Sequence, residues 1–336
     1  LGVAFMIRGL GDMSATQNGD LTWLAWLSPL GWSQQTAPFT YNRWWPLLLS
    51  VAVAALLVGV SFLLLDRRDL GSGIFPEKLG SSRAAAWLNS PFAVAFRLQR
   101  SSILGWSVAL VIGGLAMGAF ARPMLDAMDG LPPEISLILG SGENMIAGYL
   151  GFMGLFDGML VAVFGIIAVQ MVLGEEQSVR VEPIISASVG RAKWLLSWTA
   201  VTLMGAFWLL VLAGTATSLG AELSGAGGMF GDVVVGHVIH GAAVTFLVGI
   251  AVLLYGFVPR MTGLAWVVFG YGFFASLFGP AIRLGQTWMD LSVFSHVGQF
   301  PGVPVAWDGV AIVAGIGALM VAGGAAGFAR RDLITA

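Results

Sequence analysis

Apolar runs of about twenty residues recur along the chain, separated by short polar or Gly- and Pro-rich stretches. At a rise of about 1.5 Å per residue, a helix needs about twenty such residues to cross a bilayer core of about 30 Å. Seven segments meet this length: Pro46–Leu65, Ile103–Ala121, Gly148–Leu173, Trp194–Leu219, Val233–Val258, Gly263–Ile282 and Gly309–Ala329. Leu1–Ile7 reads as the tail of another. The pattern predicts an all-α integral membrane protein.

The polar punctuation between the runs repeats. Asp66-Arg67-Arg68-Asp69-Leu70 closes the first long apolar run, and Ala329-Arg330-Arg331-Asp332-Leu333 closes the last, 263 residues later. Ile7-Arg8 is echoed by Ile282-Arg283, Thr22-Trp23 by Thr287-Trp288, and Trp45 by Trp307. Recurrence of the same features in the same order points to a duplicated membrane unit. Residues 1–70 then correspond to the last part of a first half, with about 190 residues of that half expected to be missing. Residues 71–90 form a Gly-, Ser- and Pro-rich linker. Residues 91–336 form a second half of six spans. A chance match of four residues is the competing explanation.

Charge sets an expected orientation. If both Arg-Arg-Asp-Leu ends are cytoplasmic, alternation of the spans puts Lys78, Arg83, Arg97, Arg100, Arg180, Arg191, Lys193 and Arg260 on that same side, twelve of the sixteen Lys and Arg in all. The opposite orientation inverts the bias, so the positive-inside rule selects a cytoplasmic C-terminus. The acids Asp126, Asp129, Glu134 and Glu143 then lie outside.

Two segments on the expected inner side stand out. Ser90-Pro91 is an N-cap followed by proline at the first helical position. In the segment that follows, Phe92, Ala95 and Phe96 share one face while Arg97 and Arg100 lie off it. This predicts a short amphipathic elbow helix, Pro91–Arg100, in the headgroup layer, or else an extension of the next span. The second segment, Gly174–Trp194, is the most charged of the chain. Glu175, Glu176 and Glu182 precede Ile184 and Ile185, and Arg191 and Lys193 follow, an order that complements a helix dipole. It is either a docking surface for a protein partner or a solvated loop that holds the topology.

Composition narrows the function classes. Apolar residues make up 57% and charged residues 10% of the chain, against about 25% charged in soluble domains. Cysteine is absent, which removes disulfides, thiol nucleophiles and Cys metal sites. No basic stripe supports nucleic-acid binding. The chain holds no Gly-x-x-x-x-Gly-Lys-[Ser/Thr] loop, so it has no P-loop of its own for ATP phosphates.

These features resemble the permeases of type-2 ATP-binding-cassette exporters, most of all an actinobacterial subgroup identified as exporters of polyketide antibiotics. The resemblance rests on the basic helix Pro91–Arg100 running into a span, on Glu175-Glu176 followed by Val181-Glu182-Pro183-Ile184-Ile185-Ser186-Ala187 and Arg191-Ala192-Lys193-Trp194-Leu195, and on the repeated Arg-Arg-Asp-Leu ends. The chain departs from the pattern at Ser178-Val179, where Gly-Thr would follow the acidic pair. The resemblance implies six spans per half and an elbow helix carrying Phe92, Phe96, Arg97 and Arg100. It also implies a coupling loop where Glu175, Glu176, Arg180, Glu182, Ile184, Ile185 and Arg191 meet a cytoplasmic ATPase. That ATPase, in two copies, would bind ATP and Mg in place of this chain, which would hold no cofactor and catalyse nothing itself. The expected cargo is an amphipathic small molecule, and the expected location the cell membrane.

A few polar residues fall inside the spans. Asp157 lies well inside an apolar run, where an ionised acid costs about 2.5–3.5 kcal/mol, so it should face a cavity or a partner. It either lines a translocation path, carries a proton, or hydrogen-bonds a neighbouring helix. His237 and His240 share a helical face, and no further ligand supports a metal there. Gln170 is expected to join helices. A proton-coupled secondary transporter using Asp157 and the histidines is the alternative function. Finally, Arg283–Asp308 is partly apolar but broken by Pro301 and Pro304, which fits a re-entrant pair of short helices or a folded outer loop, with a counterpart at Leu21–Trp45.

Overall fold

A computed structural model describes residues 22–66, 85–123, 145–186 and 189–332, with isolated positions before residue 22. Most of Leu1–Ile7, the Arg67-Arg68-Asp69-Leu70 stop, the linker up to Ala84, the acids between residues 124 and 144, and Leu333 lie outside the described residues. The chain forms two compact units, Leu1–Ala84 and Ala85–Ala336. Among the described residues all regular structure is helical.

In the first unit a 3-10 turn (Thr22–Leu27) leads into helix α1 (Pro29–Gln34) and then helix α2 (Pro46–Asp66). The turn and α1 lie against one another because residue 31 is glycine, since a Cβ there would overlap the Ala25 carbonyl oxygen. The Trp32 indole donates to the Trp26 carbonyl at 2.6 Å, and Trp26 stacks on Trp45 at 5.3 Å. The 21 residues of α2 reach about 31 Å, enough to span.

The second unit contains α3 (Pro91–Ala119), α4 (Met145–Gln177), α5 (Glu182–Ser186), α6 (Arg191–Leu223), α7 (Phe230–Val238), α8 (Gly241–Phe257), α9 (Leu264–Phe278), α10 (Gln286–Met289) and α11 (Trp307–Arg330). Six spans result, with α7 and α8 together forming one. With α2, seven helices among the described residues are long and apolar enough to cross a membrane. The protein is a multi-pass membrane protein.

Glycines set which spans touch. On α3, Gly114 lies against Ala213, Ala216 and Thr217 of α6, and Gly118 against Thr217 and Ala221. Both helices advance together, so they run parallel. The same holds for α8 and α11, where Gly249 meets Gly317 and Gly256 meets Gly324, the second pair so closely that a Cβ on Gly256 would overlap the Gly324 carbonyl. Without a hydrophobic drive between helices in lipid, such backbone approach is a main source of attraction. Each of these parallel pairs joins spans of the same parity, the first with the third and the fourth with the sixth, as a chain crossing back and forth requires. An even number of spans brings Pro91 and Arg330 to the same face.

Two expectations about local structure change. The elbow Pro91–Arg100 is not a separate helix. It forms the first ten residues of the unbroken 29-residue α3, capped where the Ser90 hydroxyl accepts from the Ala93 amide at 3.2 Å. At about 43 Å, α3 outreaches a bilayer core, so its first turns stand beyond it. The faces also differ. Ala95 and Gln99 point inward, while Phe92, Phe96, Arg97 and Arg100 are exposed. Conversely, Val233–Val258 is not one regular helix, because a turn at Ile239–His240 separates α7 from α8.

The region before α11 forms α10 and a 3-10 turn (Val293–His296), followed by an irregular segment to Ala306. Val293, Phe294 and Val297 are buried. Residues 299–302 press between the start of α4 and α7. A Cβ at Gly151 would overlap the Gln299 carbonyl, and one at Gly236 the Phe300 carbonyl.

Candidate functional site

Helix α4 runs through the middle of the second unit, and its two buried acids, Asp157 and Glu176, mark two polar sites. They are 19 residues apart, about 28 Å along the axis.

At the first site Asp157 meets α7. Its Oδ2 lies 3.2 Å from Nε2 of His237, whose Nδ1 lies 2.8 Å from the Val233 carbonyl oxygen. His237 is fully buried, while the Asp157 side chain keeps 12% of its exposure. His240, three residues on and also fully buried, packs over Gly158, where a Cβ would come within 2.6 Å of the His240 Cβ and 2.8 Å of its ring Cγ. Glycine beside the acid thus lets the imidazole in. Among the described residues neither ring nitrogen of His240 has a hydrogen-bond partner. Gly214 of α6 lies under His237, and the 299–302 segment covers Gly236, next to it. Tyr149, two turns before Asp157, donates its hydroxyl to the Met117 carbonyl of α3 at 2.7 Å. The structure therefore brings together Asp157, His237 and His240. No group of three metal-ligating side chains occurs among the described residues.

At the second site the last turn of α4 meets α8 and α11. Arg331 donates to both oxygens of Glu176 at 2.7 and 2.6 Å, and the Tyr255 hydroxyl donates to the same carboxylate at 2.6 Å. The guanidinium lies over the rings of Tyr255 (5.1 Å) and Phe328 (4.9 Å). Arg191, at the start of α6, donates to the Arg331 carbonyl. The Glu176 side chain is 1% exposed. It is thus turned inward, correcting its expected place on an open docking surface. A carboxylate at this depth needs a charged partner, and Arg331 supplies one.

The other residues of the loop divide. Glu175 pairs with Arg180 through two bonds of 2.8 and 2.9 Å, a contact that raises the Arg180 pKa chiefly by hydrogen bonding. Glu182 begins the short α5 and is exposed. Ile184 and Ile185 are half-buried against the core, so part of their surface is already used. Val181 is the residue that anchors this turn, at 1% exposure.

Sequence reasoning missed Gln99. It is fully buried, donates to the Trp198 carbonyl at 3.2 Å and accepts from the Thr202 hydroxyl at 2.9 Å, joining α3 to α6. Gln170, expected to do such work, is half-buried and makes no side-chain hydrogen bond among the described residues. The available signal was Gln99 four residues after Ala95 and seven after Phe92, a polar residue on the same helical face as the apolar ones. Arg331 and Tyr255 carried no local signal as partners of Glu176.

Residues 88–329 match the family model of the C-terminal domain of the multidrug efflux system permease Rv1217c. The chain belongs to this family. The matched region takes in both polar sites except Arg331. The chain is also similar to the multidrug efflux system permease protein Rv1217c of Mycobacterium tuberculosis (strain ATCC 25618 / H37Rv), with 33% identity over 343 residues. That alignment covers 99% of the chain and 60% of the relative, so the chain spans about 60% of the length of the curated relative it matches.

Proposed function

We propose that this chain is the transport part of an exporter that carries amphipathic small molecules, drugs or antibiotics, out across the cell membrane. The observation that carries this reading is the family match over residues 88–329 to a multidrug efflux permease. Energy comes from a separate cytoplasmic ATPase, bound in two copies, which holds the ATP and Mg. The absence of a P-loop in the sequence is consistent with this division of labour. The permease moves its cargo without changing it and is not itself an enzyme.

The loop between α4 and α6 supports a docking role. Exposed Glu182 and the Glu175–Arg180 pair lie on a short turn joined directly to the two longest helices. The positive-inside rule puts this loop and the end of α11 in the cytoplasm. The test is to purify the full-length permease from membranes and identify bound ATPase chains, then measure efflux in vesicles with and without ATP. A bound ATPase and ATP-dependent efflux support the reading. Efflux that needs only a proton gradient would favour the second reading, a proton-coupled secondary transporter, which the Asp157–His237 contact makes worth testing.

A further inference from the structure

The hydrogen bonds of His237 fix how many protons the first polar site holds. The Val233 carbonyl oxygen can only accept, so the Nδ1 that lies 2.8 Å from it carries a hydrogen. In a neutral imidazole Nε2 is then a bare acceptor, and its 3.2 Å contact with an ionised Asp157 would set lone pair against lone pair. The contact is favourable only with one further proton between the two groups. That proton sits either on Nε2, giving imidazolium and carboxylate, or on Oδ2, giving two neutral groups. In both cases the pair is neutral overall, as suits a group well inside a membrane span.

We propose that Asp157, with His237, is a cation-binding site that takes up the positive end of a lipophilic cationic substrate in exchange for this shared proton. The inference rests on the export reading above and adds the substrate class. A bound ammonium or phosphonium supplies the same single positive charge to Asp157, and the proton leaves, so the site stays neutral before and after. Two further observations place a ligand here. The Asp157 side chain retains exposure while its partner has none, and Oδ1 has no partner among the described residues, so one carboxylate oxygen is free to receive a cation. His240, fully buried on the neighbouring Gly158, has both ring nitrogens without partners. Buried polar groups of this kind are rare unless something else satisfies them. Among the described residues no second acid lies at this site. His237 meets the acid from α7, His240 packs on the adjoining Gly158 from the turn after it, and α6 brings Gly214 against His237. The 298–302 segment brings backbone, the Tyr149 hydroxyl is engaged with Met117, and Asp232 on α7 is exposed.

The test uses the full-length permease in lipid nanodiscs with two probes, the permanent cation tetraphenylphosphonium and the neutral steroid progesterone. Competition between cation and proton should tighten tetraphenylphosphonium binding as the pH rises and release about one proton per cation in weak buffer. Progesterone should bind with little pH dependence and release none. Asp157→Asn should lose tetraphenylphosphonium binding and proton release while keeping progesterone. Cation binding that ignores pH and releases no proton overturns the proposal, as does an Asp157→Asn protein that binds the cation normally. The proton count on the unaltered protein decides the matter even if the variant fails to fold. If neither probe binds the unaltered protein at any pH, the export reading falls as well.

Discussion

The Glu176–Arg331 pair offers the sharpest stability test. Replacing Arg331 with Met removes two bonds of 2.7 and 2.6 Å and leaves a carboxylate that is 1% exposed beside the Tyr255 hydroxyl. Breaking a buried ion pair by removing one partner costs about 3–5 kcal/mol. Arg331 is 14% exposed, so water can enter where it leaves, and the lower end, about 3 kcal/mol, applies. That is about a 150-fold shift in the unfolding equilibrium. Glu176→Gln keeps an acceptor for Arg331 and Tyr255 and should cost about 1–2 kcal/mol. The double variant removes the carboxylate charge together with its Arg331 partner, so its cost should fall short of the sum by about 1.5–3 kcal/mol. Tryptophan fluorescence during SDS unfolding in mixed micelles reads all three. Costs that add to within about 0.5 kcal/mol would show that the two groups do not hold each other, and the account of this end of the bundle would be wrong.

Three further outcomes follow from the geometry. Gly256→Ala puts a methyl into the Gly324 carbonyl, which cannot move without shifting α11, and should cost about 1–3 kcal/mol in the same assay. Gly105→Ala, with open space around it, should change little. Gln99→Leu strips buried bonds to Trp198 and Thr202 and should cost about 0.6–2 kcal/mol, whereas Gln170→Leu should be near neutral; equal effects would contradict the assignment of Gln99 as the joint between α3 and α6. Glu175→Ala and Glu182→Ala should weaken ATPase co-purification with little loss of stability, while Glu176→Ala should lower stability first; unaltered association in all three would refute docking at this loop.

The spans were legible because one physical demand, about twenty apolar residues, writes itself continuously along the chain. What could not be read was which way each helix faces. In lipid both the outward face and the packed face are apolar, so Phe92, Ala95 and Phe96 read as one apolar face, whereas Ala95 packs inward with Gln99 and the two phenylalanines are exposed. The break at Ile239–His240 was hidden for a similar reason, because no proline or glycine pair marks it in Val238-Ile239-His240. Asp157 and its histidines stood out because charge in an apolar run is costly wherever it faces. Glu176 was misplaced because its partner Arg331 lies 155 residues away, and adjacent Glu175 gave the same local reading although it faces solvent with Arg180.

The whole functional account depends on which side of the membrane the α4–α6 loop occupies. The chain has no cysteine, so single cysteines can be introduced without background from this sequence. Ser178→Cys and Ser224→Cys lie in loops at opposite ends of α6. In intact cells a membrane-impermeant maleimide should label Ser224→Cys and leave Ser178→Cys unlabelled until the cells are opened. The reverse pattern would put the α4–α6 loop outside the cell, beyond reach of any cytoplasmic ATPase, and would contradict the account.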